Sequence, residues 1–181
     1  MKGIVFTEFI EHASSAFGED EIEDLIDECD LPSGGAYTAV GTYDFQEMVT
    51  LVTALSKQTG VSVDDLIHGF GVYLGGSFRD RFRDFFDQQA SLFDFLDSVE
   101  NHIHVEVRKL YANAELPSLK MVSRGKNEAV LRYRSKRCLA QLASGLIQSA
   151  ANHFDDHVEV LMDHAKDEFG TFADIKVQRQ T

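Results

Sequence analysis

Tryptophan is absent from these 181 residues, and proline and cysteine occur only twice each. Cys29 and Cys138 lie far apart and form no CxxC pair, so neither a disulfide framework nor a thiolate metal knuckle is encoded, and a reducing compartment is expected. No apolar run approaches the roughly 20 residues that a membrane span requires. The opening Met1-Lys2-Gly3-Ile4-Val5-Phe6 meets Glu8 and Glu11 at once, too short an uncharged stretch for a secretory signal. A cytoplasmic protein without a membrane segment is expected. Positive charge is also scarce: 17 Lys and Arg stand against 30 Asp and Glu, a net charge of -13. Such a field repels phosphates and argues against nucleic-acid binding. The chain has no P-loop, no GxSxG and no HExxH. Gly69, Gly71 and Gly75 form a spacing one residue off the dinucleotide fingerprint, but within a helical pattern where no phosphate cradle forms.

What is present is an ordinary globular composition, 44% hydrophobic and 26% charged, long enough for one domain with its own core. Apolar spacing predicts a helix over about 3–17 and a short acidic one near 20–28, a solvated face broken by Pro32-Ser33-Gly34-Gly35. Asp44 caps a helix running to about Lys57 and ending at Gly60. Ser62 with Asp65 starts another to about Leu74, which Gly75-Gly76 interrupts or bends. Phenylalanines then crowd together at 78, 82, 85, 86, 93 and 95, and a long helix is expected from about Ser91 to Tyr111. The last third changes character. A hairpin is expected from Leu119–Ser123 and Glu128–Arg137, then a helix over Leu139–Phe154, then strands His157–Met162 and Phe172–Val177. Helices followed by a small antiparallel sheet with a packed helix make an α+β fold. With no heptad seam and no repeat, a monomer is expected.

Three groups of residues could carry chemistry. His102 and His104 flank the apolar stripe Leu92, Leu96, Val99, Ile103, Val107 and Leu110 about equally, on opposite sides. Helical spacing slightly favours His104, which shares its side with Phe93 and Tyr111; a border histidine is the plain alternative. Tyr133, Ser135 and Arg137 alternate along the second hairpin strand and would emerge on one face, a phenol, a hydroxyl and a guanidinium able to grip a carboxylate. The alternative is an edge strand with a polar outer face. His153 and His157 could share a metal, but without a third ligand they read as surface histidines. Cys138 reads as a buried structural thiol.

Together these features resemble the H-NOX family, the haem nitric oxide/oxygen binding domains related to the sensor domain of soluble guanylate cyclase. The resemblance spans essentially the whole chain. It rests on the opening Met-Lys-Gly-Ile-Val-Phe, on Ile103-His104-Val105-Glu106-Val107-Arg108-Lys109-Leu110-Tyr111 followed by Leu116-Pro117, and on the YxSxR motif Tyr133-Arg134-Ser135-Lys136-Arg137. It implies a helical subdomain over about 1–60, a haem-binding and sheet subdomain over about 61–181, and haem b held between them. It resolves the choice of histidine: His104 corresponds to the proximal ligand of ferrous haem iron. Tyr133, Ser135 and Arg137 would hold the propionates, and Pro117 would press on the macrocycle.

The resemblance also supplies a distal set, Val5, Phe9, Phe78, Leu142 and Leu146, all apolar. Oxygen-binding relatives carry a tyrosine where this chain has Leu142. Bound O2 carries partial negative charge and needs a hydrogen-bond donor, which NO needs far less, so NO and CO are the expected ligands and O2 is excluded. An O2-binding sensor is the alternative; it would need a donor in the pocket, Tyr73, the tyrosine nearest Phe78 in sequence, or another. A haem enzyme would need a distal acid–base group that this set lacks. Some bacterial relatives carry a cysteine-rich zinc site; the cysteines of the last strands are missing here, so no zinc is expected. Because the chain stops at Thr181, the resemblance implies a bacterial stand-alone sensor acting in trans on a sensor histidine kinase or a cyclic-di-GMP synthase/phosphodiesterase. The switch it implies is weakening of the iron–His104 bond by NO.

Overall fold

The computed structural model describes residues 1–111 and 113–180. They fall into two units, Met1–Phe70 and Gly71–Thr181.

The first unit is helical. Helix α1 (Gly3–Phe17) turns an apolar stripe of Ile4, Phe6, Phe9 and Ala13 inward. Helix α2 (Glu19–Glu28) buries only Ile22 and Leu25; its first-turn acids Glu19, Asp20 and Glu21 complement the positive end of the helix dipole. Helix α3 (Phe45–Thr59) starts as the sequence predicts, with the Asp44 carboxylate accepting from the Gln46 amide at 2.9 Å, and stops at Gly60 in the left-handed region. Its buried Glu47 is satisfied by the loop before it. The carboxylate accepts from the Ser33 hydroxyl and, at 3.0 Å, from the Tyr37 hydroxyl, while the Tyr37 ring stacks on Phe6 at 4.4 Å.

Helix α4 (Val63–Arg81) begins in the first unit and continues in the second. Ser62 and Asp65 form the expected capping box, the Asp65 amide donating to the Ser62 hydroxyl at 3.1 Å. The expected interruption at Gly75-Gly76 does not occur; the helix runs on to Arg81, and a short helix α5 (Arg83–Asp87) follows. Packing gives the reason. A Cβ at Gly71 would lie 2.5 Å from the Leu142 carbonyl oxygen and 2.9 Å from the Gly145 Cα, and one at Gly75 would meet the Ser149 side chain. Gly71 lets α4 approach the backbone of helix α8 (Ala140–His153) and Gly75 its Ser149 side chain, contacts that offset the roughly 1 kcal/mol by which each of these two glycines disfavours a helix.

The second unit is built on a four-stranded antiparallel sheet in the order β1-β2-β4-β3, from strands β1 (Ser118–Arg124), β2 (Glu128–Arg134), β3 (Val158–Asp167) and β4 (Gly170–Arg179). Register pairs Tyr133 with Ala173, Leu131 with Ile175 and Ala129 with Val177, so one face is continuous and apolar. Ala143, Ile147 and Ala150 of α8, with Leu92, Phe93, Phe95 and Leu96 of helix α6 (Leu92–Ser98), complete that core. The opposite face is charged. Arg132 forks onto Asp174 at 2.8 and 2.7 Å, Arg134 pairs with Asp167, and both guanidiniums lie over the Phe172 ring at 4.2 and 4.6 Å. Both final strands are longer than the sequence suggests.

Two expectations fail in ways that matter. The helix predicted from Ser91 to Tyr111 is not uniform. Between α6 and helix α7 (His104–Leu110), residues Val99–Ile103 form a π-helical turn, in which the His104 amide donates to the Val99 carbonyl. The strand predicted to reach Arg137 ends at Arg134; Ser135 and Arg137 lie in the turn that follows. In that turn Cys138 is exposed, with φ at 51°, and is not the buried thiol expected.

Candidate functional site

The π turn separates the two histidines that an ideal helix leaves equivalent. A widened turn changes the phase of every residue after it. His102 emerges exposed, edge-on to the Phe85 ring at 5.7 Å. His104 is drawn in, its side chain 12% exposed. Its Nδ1 faces Glu100 Oε2 at 3.3 Å, and the same carboxylate oxygen accepts from the Leu119 amide at 2.9 Å. Burial lowers the pKa of His104, and the Glu100 carboxylate acts against that shift. A neutral imidazole beside an acceptor on Nδ1 carries its proton there and directs its Nε2 lone pair elsewhere. Glu100 was assigned no role from sequence; its spacing four residues before His104 was the available signal.

Tyr133 is 5% exposed on the inner face of β2. Burial raises its pKa, opposed by its hydrogen bond with Ser135. The Ser135 hydroxyl accepts from the Arg137 amide at 3.1 Å, folding the turn so that the serine caps it. The Arg137 guanidinium donates to the Glu115 main-chain oxygen at 3.0 Å and also to the Glu115 carboxylate. Tyr133 and Ser135 therefore meet through the turn rather than through strand alternation, and Arg137 is already engaged with a carboxylate. Pro117 lies one residue before β1 and two after Glu115.

The apolar residues expected around a ligand are distributed as follows. Val5 and Phe9 lie on α1 in the first unit, with Phe9 edge-on to Phe70 at 5.3 Å. Phe78 lies on α4 against Phe82, and Leu142 and Leu146 lie half-buried on α8, all in the second unit. Tyr73 is half-buried on α4. His153 packs edge-on against Phe86 at 5.2 Å and Phe154 at 4.8 Å.

The donor chemistry of the second unit suits an iron porphyrin. A buried neutral imidazole is a ligand for iron, and a guanidinium already holding a carboxylate, with a serine and a tyrosine beside it, suits propionates.

The sequence model of the family described as haem-NO-binding matches residues 2–162. Among solved structures, an H-NOX protein from K. algicida in the unliganded Fe(II) state is 34% identical, with the match covering 100% of this chain and 97% of that one at a TM-score of 0.93. A point mutant of the same protein is 35% identical over the same shares, also at 0.93. An H-NOX protein from S. oneidensis in the Fe(II)NO state is 24% identical, covers 100% of both chains at a TM-score of 0.85, and bears on the fold alone. No curated protein matches the chain. Among the described residues, no helix is long and apolar enough to cross a membrane. With the family model matching most of its length and the K. algicida structure overlying all of it, the chain belongs to the haem-NO-binding, or H-NOX, family, whose members are haem-based gas sensors.

Proposed function

We propose that this protein senses NO, and binds CO, at ferrous haem b, that it excludes O2, and that it passes the signal to a separate protein without catalysing a reaction itself. The observation that carries this reading is the half-buried His104 imidazole, oriented by Glu100, in the same unit as the Tyr133–Ser135–Arg137 turn. His104 would ligate the iron through Nε2. Tyr133, Ser135 and Arg137 would hold the propionates, and Pro117 would set how closely the backbone approaches the macrocycle. Ferrous haem, when bound, would supply the iron that takes up a diatomic gas.

Selectivity follows from what the side chains can offer. Phe78, Leu142 and Leu146 present no hydrogen-bond donor, so they would favour gases that need none; Val5 and Phe9, which the family resemblance adds, present none either. The main chain of Leu142 and Leu146 on α8 lies against Gly71 of α4. The partner most consistent with the family resemblance is a sensor histidine kinase or a cyclic-di-GMP synthase/phosphodiesterase acting in trans in a bacterial cytoplasm, with this protein as a monomer and no zinc. For any such partner to respond, it must bind the gas-loaded and gas-free proteins with different free energies.

The test is the absorption spectrum of the anaerobically reduced protein, alone and then with NO, CO or air. A five-coordinate ferrous spectrum that changes with NO and CO but not with air is the expected result. A stable oxygen complex would overturn the exclusion of O2, and failure to take up haem even on reconstitution would overturn the whole reading.

A further inference from the structure

Glu100 makes two contacts with one oxygen. Oε2 faces His104 Nδ1 at 3.3 Å and accepts from the Leu119 amide at 2.9 Å. Glu100 belongs to the π turn and His104 opens α7, while Leu119 is the second residue of β1. The carboxylate is therefore pinned from the sheet side and presented to the imidazole from its own helix. Its side chain is only 21% exposed, so water competes weakly for it. An ionised carboxylate can only accept, which fixes the Nδ1–H tautomer of the ring.

We infer that Glu100 is a positioning residue for His104: it sets the orientation of the imidazole and increases its electron donation through Nε2. This rests on the reading of His104 as the haem ligand. Carboxylates on the second nitrogen of a ligating histidine raise its basicity and lock its rotation. A more basic imidazole would bind iron more strongly and favour its oxidised form, so the Glu100 contact would resist loss of His104 from the iron. Because the same oxygen holds the Leu119 amide, any shift of His104 also strains the start of β1, just beyond Pro117.

The experiment compares wild type, Glu100→Gln, Glu100→Ala and His104→Ala as haem-loaded, anaerobically reduced proteins. The iron–histidine stretching band in resonance Raman and the midpoint potential are the readouts, with circular dichroism to confirm folding. Wild type gives the band, and His104→Ala loses it. Glu100→Ala shifts the band to lower frequency, raises the potential and increases the fraction of the NO complex lacking histidine. Glu100→Gln, which still accepts a hydrogen bond but without the charge, shifts each readout less and decides the matter if the alanine variant does not fold. An unchanged band and potential in a folded Glu100 variant overturn the role of Glu100 while leaving His104 as ligand. No band in wild type, or a band that survives in His104→Ala, overturns the ligation reading and this inference with it.

Discussion

The Arg137 guanidinium reaches back to Glu115, donating to its main-chain oxygen at 3.0 Å and to its carboxylate. The two partners differ in setting: Arg137 is 18% exposed at its side chain and Glu115 65%. The arginine is thus held in place by backbone, while the carboxylate it pairs with is largely in water. Exposed pairs of this kind contribute little, about 0–1 kcal/mol. Glu115→Ala should therefore leave thermal stability almost unchanged and should not weaken haem retention, since it leaves Arg137 for a propionate. Arg137→Ala removes charge-assisted bonds of about 1.5–3 kcal/mol and should speed haem loss roughly ten- to hundredfold. Haem transfer to an excess of an apo-globin scavenger measures both.

Leu142 offers no donor where oxygen-binding relatives have tyrosine. If the proposed exclusion of O2 holds, Leu142→Tyr should confer an oxygen complex in air, with affinity raised roughly tenfold or more by one added hydrogen bond to a charged partner. Absorption spectra in air-equilibrated buffer decide it. An unchanged spectrum would show that the hydroxyl is not directed at the ligand.

Two glycines of α4 should respond with opposite signs. Gly71→Ala forces a methyl against the backbone of α8 and should cost about 1–3 kcal/mol, the range for overpacking. Gly76→Ala meets nothing within 4 Å and should stabilise by about 0.4–1 kcal/mol, because it restricts the unfolded chain. Urea unfolding midpoints of the two variants test the contact.

Acid should expose the Arg–Asp ladder on the outer face of the sheet. The hydrogen bond from Arg132 holds the Asp174 carboxyl below its ordinary pKa, and that from Arg134 does the same for Asp167. A depressed carboxylate contributes stability that is present above its unfolded value and lost as pH falls through its folded one. The unfolding midpoint should therefore drop as pH falls from about 4 toward 3, within the range of these carboxylates. The double variant Asp167→Asn/Asp174→Asn should show a flatter profile over that interval, which separates this effect from the easing of the chain's overall negative charge.

Alkali acts on the other unit. Burial pushes Tyr37 up to about 12, so it stays protonated in the fold where an unfolded tyrosine would ionise. Its contribution is complete below about 10 and is lost as pH rises toward 12. Tyr37→Phe should remove that alkaline loss, while costing about 1 kcal/mol at neutral pH for the hydrogen bond to Glu47. Midpoints measured at pH 8 and pH 11 give both numbers.

Features that depend on neighbours along the chain are legible from residue order alone. Asp44, Ser62 with Asp65, and Gly60 mark helix ends because capping is satisfied within a few residues. The alternation of β2 placed Arg132 and Arg134 opposite Leu131 and Tyr133 because a strand has a fixed period of two. The family pattern too was legible, since it is a spacing of residues. Other features are set by partners distant in sequence and emerge only in the folded chain. Within α4, Gly71 lies against the α8 backbone and Gly75 against the Ser149 side chain, contacts that no local propensity encodes. Strand β2 ends at Arg134 because Ser135 caps a turn and Arg137 is drawn to Glu115. His102 and His104 are equivalent on an ideal helix. The π turn, with Glu100 tied to the Leu119 amide, puts one in water and the other inside, because a single added residue per turn rotates all that follows.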